Sequence, residues 1–176
     1  MLEPQLIPLA THRDTRGALT EIFRRDWPDV VAPVQWNFVR SERNVMRGVH
    51  VHVTHVDYLV ALQGRMLVGL CNLRDGSRSA RDGSIVELYG EDLRALVIPP
   101  GVAHGFYFPE PALFVYGVTH RWNPVNDEWG CRWNDPALGI PWPADCTSPE
   151  MSARDAEAGS LEQLLSRLRE GGHAAW

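Results

Sequence analysis

Two short segments carry most of the residues in this chain that could perform chemistry. His50 and His52 stand close to Asp57 in the sequence, and His104 follows in a second segment. Imidazole is the side chain best suited to proton transfer near neutral pH, and with carboxylates it is a common ligand of transition metals. The two segments therefore predict either acid–base chemistry or a metal site.

The spacing of these four residues favours the metal. It follows the pattern HxHx4(D/E)x6G, which ends at Gly64, and then PxGxxH, which ends at His104. Metal-binding cupins show this spacing and use it to hold Fe, Mn, Ni or Zn. On this hypothesis the four ligands are His50, His52, Asp57 and His104, and the ion polarises a carbonyl group as a Lewis acid. A metal-bound His50 is then not available to remove a proton.

The residues around Arg47 and His50 also allow a site without metal. A histidine that enters a strand from an arginine-bearing loop can act as a base while the guanidinium binds a phosphate. Asp57 would then pair with His52 or His55, and a protonated imidazole would supply positive charge. The residues alone leave both interpretations open.

The segments between these residues predict an all-β fold. Short runs of apolar and β-branched residues predict strands at 34–39, 58–62, 65–73, 85–88, 95–98 and 113–120. Turn residues separate them at Gln63-Gly64, Asp75-Gly76, Asp82-Gly83 and Pro99-Pro100-Gly101. This succession of short strands and turns predicts a double-stranded β-helix, the jelly-roll barrel of the cupins.

Only the C-terminal region predicts a helix, at about 160–170. Ser160 and Gln163 form a capping-box pattern, and Gly171 marks the end of the helix. The apolar stripe between them consists of Leu161, Leu164, Leu165 and Leu168. We expect this stripe to pack on the barrel. Without a linker or an internal repeat, residues 1–176 are expected to form a single domain.

Composition excludes several classes of protein. The net charge of −5 argues against a protein that follows a nucleic-acid backbone. No apolar stretch approaches the roughly 20 residues that cross a bilayer. The three cysteines lack the spacing of a disulfide framework or a thiolate zinc site. We therefore expect a cytoplasmic protein that binds neither nucleic acid nor membranes.

A series of ordered segments resembles the dTDP-4-dehydrorhamnose 3,5-epimerases and their 3-epimerase relatives, which act on nucleotide-linked 4-keto-6-deoxy sugars. The segments are 14–17 with Glu21, 35–37, 47–50, 98–106, Tyr116, 133–135, 142–143 and 152–155. The resemblance implies a cupin-fold isomerase that reversibly removes a proton beside the keto group. It also implies a homodimer and no metal.

The resemblance further implies a role for individual residues. By similarity His50 is the general base, Asp155 holds it, and Tyr116 is the acid on the opposite face of the sugar ring. The implied substrate contacts are Arg47, Gln35, Asn37 and His104 in the pocket, with Arg16 and Glu21 at the nucleotide. The last two would reach the nucleotide from their own subunit or from a neighbouring one.

Two positions depart from the family's pattern. The family has a lysine near the enolate oxygen, and the aligned residue here is Asp57. Such an exchange of charge, about 4 Å from that oxygen at an effective dielectric of ~20, changes the interaction by roughly 8 kcal/mol. Leu19 stands where the family has an aromatic residue beside the nucleobase. The resemblance therefore does not determine which nucleobase the substrate carries.

Three functions follow from these patterns. The resemblance favours a metal-free epimerase of a nucleotide-linked sugar. The spacing of His50, His52, Asp57 and His104 favours a metal-dependent cupin enzyme, either an oxygenase or a small-molecule isomerase. The third alternative is a sugar-nucleotide binding module that has lost turnover with the lysine.

Overall fold

The computed structural model describes residues 3–27, 31–74, 82–121, 123 and 129–173. The strands are β1 (Gln5–Pro8), β2 (Thr11–Asp14), β3 (Gly17–Thr20), β4 (Gln35–Ser41), β5 (Val45–His50), β6 (Asp57–Gln63), β7 (Arg65–Asn72), β8 (Ser84–Tyr89), β9 (Arg94–Ile98), β10 (Val102–Phe108) and β11 (Ala112–Val118). The helices are a short 3-10 helix (Pro136–Leu138), α1 (Ala153–Ala156) and α2 (Leu161–Glu170).

Two antiparallel sheets form the barrel. The larger sheet has the order β1-β9-β6-β11-β4, and the smaller one has the order β5-β10-β7-β8. Strands β2 and β3 form a separate two-stranded hairpin. From β4 to β11 successive strands change sheet, except β7 and β8, which are neighbours in the smaller sheet. This is the arrangement of a jelly roll. The prediction of an all-β, double-stranded β-helix is confirmed.

The alternation of side chains along each strand determines what lies between the sheets. In β6, Leu59 and Ala61 join the inner apolar cluster, whereas Tyr58 and Val60 pack on the outer face. Since successive side chains point to opposite faces, Asp57 shares the inner face with Leu59. In β10, Ala103 belongs to the cluster under α2, and its neighbour His104 points inward. Two polar residues therefore enter the barrel from opposite sheets.

Helix α2 covers the outer face of the smaller sheet. Its buried residues are Leu161, Leu164, Leu165 and Leu168, which form one cluster with Val49, Cys71 and Ala103 of the sheet. Both hydrogen bonds of the capping box between Ser160 and Gln163 are present. The predicted helix and its packing are confirmed. In the ranges described above, no helix is long and apolar enough to span a membrane.

Five strands were absent from the sequence prediction. They are the N-terminal β1, β2 and β3, together with β5 and β10. Strands β5 and β10 contain Arg47, His50 and His104, whose polar side chains line a cavity and so interrupt the apolar pattern. The predicted strand 113–120 ends at Val118. The predicted turn at Asp75-Gly76 lies outside the described residues, and the single domain over 1–176 remains a prediction.

Candidate functional site

A cavity of about 540 Å³ opens between the two sheets. Asn37, Asp57 and Tyr116 line it from the larger sheet, and His50 and His104 line it from the smaller one. Phe106 and Phe114 belong both to the cavity wall and to the apolar core. The volume lies within the range of about 300–1,000 Å³ that small-molecule sites occupy.

His50 pairs with Asp155 inside this cavity. The Nε2 atom of His50 lies 2.7 Å from Oδ1 of Asp155. The other carboxylate oxygen accepts a hydrogen bond of 3.3 Å from the backbone N–H of Gly48. Asp155 lies in the first turn of α1, where its own N–H donates to the N-cap hydroxyl of Ser152 at 3.2 Å. Helix α1 therefore presents the carboxylate to the strand that carries His50.

The charge of Asp155 decides which nitrogen of His50 is protonated. Burial raises the pKa of Asp155, but hydrogen bonding and charge attraction with His50 outweigh it and lower the pKa to about 2. An ionised carboxylate only accepts hydrogen bonds, so Nε2 of His50 must be the donor. In the neutral ring this leaves Nδ1 as the nitrogen that can take up a proton.

The backbone around His50 is held by a neighbouring extended segment. The N–H of Cys131 donates to the carbonyl of Val49 at 3.1 Å, and the N–H of Val51 donates to the carbonyl of Trp129 at 3.0 Å. Gly130 lies between these bonds, and a Cβ atom there would come within 2.8 Å of the Val49 carbonyl. A glycine is therefore required where this segment passes His50.

Arg154 is a site residue to which the sequence assigned no role. Its Nε donates to Oδ1 of Asp155 at 3.3 Å, and its Nη2 lies 2.9 Å from Nε2 of His50. Because Nε2 carries a hydrogen, the guanidinium acts on the pair mainly through its bond to the carboxylate. An arginine directly before a helix carboxylate was the available signal.

Tyr116 lines the same cavity from β11. Burial, with a contribution from the charge of Asp57 that Arg47 opposes, raises the pKa of its phenol. The hydroxyl therefore keeps its proton at neutral pH and can donate it. The ring stacks on Phe114, with centroids 6.1 Å apart, so the phenol is held in place by the core.

A second group of titratable residues lies deeper in the cavity. One ligand atom from each of His52, Asp57 and His104 falls within 4.8 Å of the others. His50 contributes no atom to this group in the described part of the chain, because its Nε2 is directed to Asp155. Of the four ligands expected for a metal-dependent cupin enzyme, the structure brings His52, Asp57 and His104 together and leaves His50 out of the group.

The histidines of this group are neutral at physiological pH. Burial lowers the pKa of His104 to about 4, and burial with the neighbouring histidines lowers that of His52 well below its ordinary value. The interpretation in which a protonated His52 supplies positive charge is not supported. The two motif segments are also linked directly, since the N–H of Gly101 donates to the carbonyl of His52 at 2.9 Å.

The remaining predicted substrate contacts divide into two sets. Arg47 and Asn37 line the cavity, and Gln35 stands beside it and donates to Oδ1 of Asn37 at 3.1 Å. Arg16 lies on the exposed hairpin and pairs with Asp14, and Glu21 is exposed near Arg24. The structure brings the first set together with His50 and places the second set outside the cavity.

Residues 3–163 match the family dTDP-4-dehydrorhamnose 3,5-epimerase. An enzyme of that name from Salmonella typhimurium is 36% identical over 136 residues, which cover 75% of this chain and 73% of the relative.

Two solved structures show the same fold. One is the dTDP-6-deoxy-D-glucose-3,5-epimerase RmlC from Legionella pneumophila in complex with dTDP-4-keto-L-rhamnose. It has a TM-score of 0.84 and 30% identity, and the match covers 94% of this chain and 91% of that one. The other is ChmJ, a 3'-monoepimerase from Streptomyces bikiniensis in complex with dTDP-quinovose. It has a TM-score of 0.81 and 26% identity, and the match covers 98% of this chain and 94% of that one. The chain thus belongs to the dTDP-4-dehydrorhamnose 3,5-epimerase family.

Proposed function

We propose that this protein is an epimerase of a nucleotide-linked 4-keto-6-deoxy sugar. The observation that carries the proposal is the pairing of His50 with Asp155 at 2.7 Å in a cavity that Tyr116 also lines. This arrangement offers a base and an acid to one bound ring. Membership of the epimerase family supports the same reaction.

His50 is the proposed base. Its Nδ1 atom takes the proton from the carbon next to the keto group, and the electron pair moves into an enolate. The imidazolium that forms is stabilised by the ionised Asp155 at Nε2, which also fixes the orientation of the ring. A base oriented in this way contributes about 10²–10⁴-fold to a proton-transfer rate.

Tyr116 is the proposed acid. Its phenol donates a proton to the enolate carbon from the other face of the ring, which inverts the configuration at that carbon. The phenolate that forms and the imidazolium of His50 return to their starting states by proton exchange with water. Since the raised pKa keeps the phenol protonated at neutral pH, the donor form is the resting form.

The substrate is proposed to be a dTDP-linked sugar. The molecules bound to the two structural relatives are dTDP-linked sugars. Arg47 lies at the cavity wall and is exposed, with its Nε donating to Ser41 at 2.9 Å. Its Nη2 also donates to the carbonyl of Arg40 at 3.3 Å, and the other N–H groups of the guanidinium suit a diphosphate. Gln35 and Asn37 would contact the substrate beside it, and His104 would contact the sugar.

We further propose a homodimer. Strand β4 is an edge strand of the larger sheet among the described strands, and its outer face exposes Trp36 and Phe38 by 42% and 61%. A second copy would cover these rings and would place Arg16 and Glu21 of its hairpin near the nucleotide. Phe38→Asp should convert the dimer to a monomer in light scattering, and an unchanged mass would contradict this interface.

A cytoplasmic location is part of the same proposal. Cys71, Cys131 and Cys146 are buried free thiols, which suits a reducing compartment. The location is tested by the oxidation state of these thiols in cells, measured by alkylation and mass spectrometry. Reduced thiols would support a cytoplasmic location, and oxidised thiols would contradict it.

The direct test of the function is a set of 4-keto-6-deoxyglucose nucleotides that differ in the base. Proton NMR of the products identifies inversion at C3, at C5 or at both. We expect turnover with the dTDP sugar, and slower or no turnover with the UDP, GDP and CDP sugars. Absence of inversion with every member of the set would contradict the proposal.

A further inference from the structure

His52, Asp57 and His104 form a buried group that the proposed proton transfers do not use. His52 follows the end of β5, Asp57 begins β6 in the opposite sheet, and His104 lies in β10. The side chains of Asp57 and His104 are 6% and 4% exposed, and that of His52 is 13% exposed. The fold therefore brings two imidazoles and a carboxylate together in the same cavity as His50.

His104 is oriented as a ligand. Its Nδ1 lies 3.0 Å from the backbone carbonyl of Val102, which can only accept, so Nδ1 carries the hydrogen. The Nε2 atom then has a free electron pair, and it faces Oδ2 of Asp57 at 3.9 Å. A histidine that ligates a metal through one nitrogen commonly donates its other N–H to a carbonyl in this way.

His52 faces the same carboxylate oxygen. Its Nε2 lies 3.8 Å from Oδ2 of Asp57. Its Nδ1 is buried and has no hydrogen-bond partner among the described residues. A buried polar atom without a partner in a protein chain is often completed by a bound water. Nε2 is the nitrogen of this ring that is positioned to act as a ligand beside Asp57.

The distances in the group exceed a hydrogen bond and approach those of a coordination site. Two nitrogen or oxygen ligands of a tetrahedral zinc ion stand about 3.4 Å apart, because each lies about 2.0–2.1 Å from the metal. The observed separations of 3.8 and 3.9 Å need only a small closing movement to reach this value. Oδ2 of Asp57 is common to both pairs, so one position faces all three side chains.

His55 supports the group from behind. Its Nε2 lies 3.7 Å from Oδ1, the other oxygen of Asp57, and its ring stacks on that of His52 with centroids 3.9 Å apart. The side chain is 1% exposed. His55 thus packs against the carboxylate and against one of the imidazoles.

We propose that His52, Asp57 and His104 bind one divalent transition-metal ion, which polarises the keto oxygen of the substrate while His50 remains outside as the base. The second part of this statement rests on the proposed epimerase function. Two imidazoles and one carboxylate are a ligand set for Zn²⁺, Mn²⁺, Fe²⁺ or Co²⁺. The family resemblance places a lysine at position 57, so the ion would restore the positive charge that this chain lacks there.

Cation binding is tested first without substrate. Protein stripped with a chelator and dialysed is titrated with Co²⁺, followed by its visible absorption, and with Zn²⁺, followed by competition with a chromogenic chelator. We expect one ion per chain. His52→Ala and Asp57→Asn should each weaken the affinity by about 100-fold or more, since each removes a ligand. His120→Ala, an exposed histidine outside the cavity, is the matched control and should bind as the wild type does.

Two outcomes of the titration would overturn the proposal. One is the absence of stoichiometric binding to the wild-type protein, which does not depend on how the variants fold. The other is equal binding to wild type, His52→Ala and Asp57→Asn, with circular dichroism and thermal unfolding used to show that the variants are folded.

The function of the ion is tested separately by exchange of deuterium into a dTDP-4-keto sugar. Exchange by the wild type should stop on stripping and return with Co²⁺ or Zn²⁺. Asp57→Lys should lose cation binding, and the exchange that it retains should be insensitive to chelator. Full exchange by stripped wild-type protein would overturn the proposed role of the ion and leave the epimerase function intact. Stoichiometric binding without exchange in the loaded protein would contradict the epimerase function and leave the metal site intact.

Discussion

The Nε2 atom of His50 lies 2.7 Å from Oδ1 of Asp155, although the two residues are 105 positions apart in the chain. Strand β5 and helix α1 bring them together, and the N–H of Gly48 and the guanidinium of Arg154 also donate to the carboxylate. Three donors thus hold the carboxylate of Asp155 in place: the ring of His50, the N–H of Gly48 and the guanidinium of Arg154.

Asp155→Asn should destabilise the protein in a pH-dependent way. With a pKa of about 2 in the folded state and an ordinary value near 3.8, the carboxylate contributes about 2 kcal/mol to the free energy of unfolding at pH 6. Because the folded-state pKa is the lower one, this contribution is present above about pH 4 and is lost as the pH falls towards 2. Denaturation in urea at pH 6 and pH 3 should show the difference between wild type and variant shrink to about half.

The control for this prediction is Asp145→Asn, an exposed aspartate. It should change the free energy of unfolding by no more than about 0.5 kcal/mol. A constant difference between wild type and Asp155→Asn from pH 6 to pH 3 would show that the carboxylate is not held by its hydrogen bonds.

Tyr116→Phe should separate proton removal from inversion. The variant keeps His50 and Asp155, so the carbon next to the keto group should still exchange its hydrogen with solvent. Inverted product should fall by about 10²-fold or more, because the proton donor on the opposite face is gone. Proton NMR in heavy water measures both quantities in one sample.

Tyr107→Phe is the matched control for the phenol. Its hydroxyl donates to Oδ1 of Asn44 at 3.2 Å, and Tyr107 itself does not line the cavity, so turnover should be unchanged. Equal formation of inverted product by Tyr116→Phe and the wild type would exclude Tyr116 as the acid.

Leu168→Ala should destabilise the barrel through helix α2. Leu168 is fully buried against the smaller sheet, and loss of such a side chain costs about 2–5 kcal/mol. Arg169→Ala on the exposed side of the same helix should change stability by no more than about 0.5 kcal/mol. Thermal unfolding measures both, and equal values would mean that the leucine stripe does not hold the helix on the barrel.

The sequence predicted the strands whose apolar pattern is regular and missed those that carry the site. Strands β6, β7 and β9 consist mainly of apolar residues, because side chains on both faces of these strands are buried. In β5 and β10 the inward positions hold His50 and His104, which pair across the two strands. A cavity replaces the core there, so hydrophobic periodicity carries no signal.

The site itself could be predicted only in part. The motif spacing grouped His50 with His52, Asp57 and His104, and the structure brings the last three together. Spacing could not separate His50 from them, because its ring is directed to a carboxylate far along the chain. Asp155 was predicted from the family resemblance, and the contact of Arg154 with the pair required coordinates.

Deuterium exchange by His50→Ala tests the central claim most directly. Wild-type protein and the variant, each loaded with Co²⁺, are incubated in heavy water with dTDP-4-keto-6-deoxyglucose, and the sugar is analysed by mass spectrometry. We expect the wild type to introduce deuterium next to the keto group and His50→Ala to be slower by about 10²–10⁴-fold, with unchanged affinity for Co²⁺. Exchange at the wild-type rate in His50→Ala would contradict the assignment of His50 as the base.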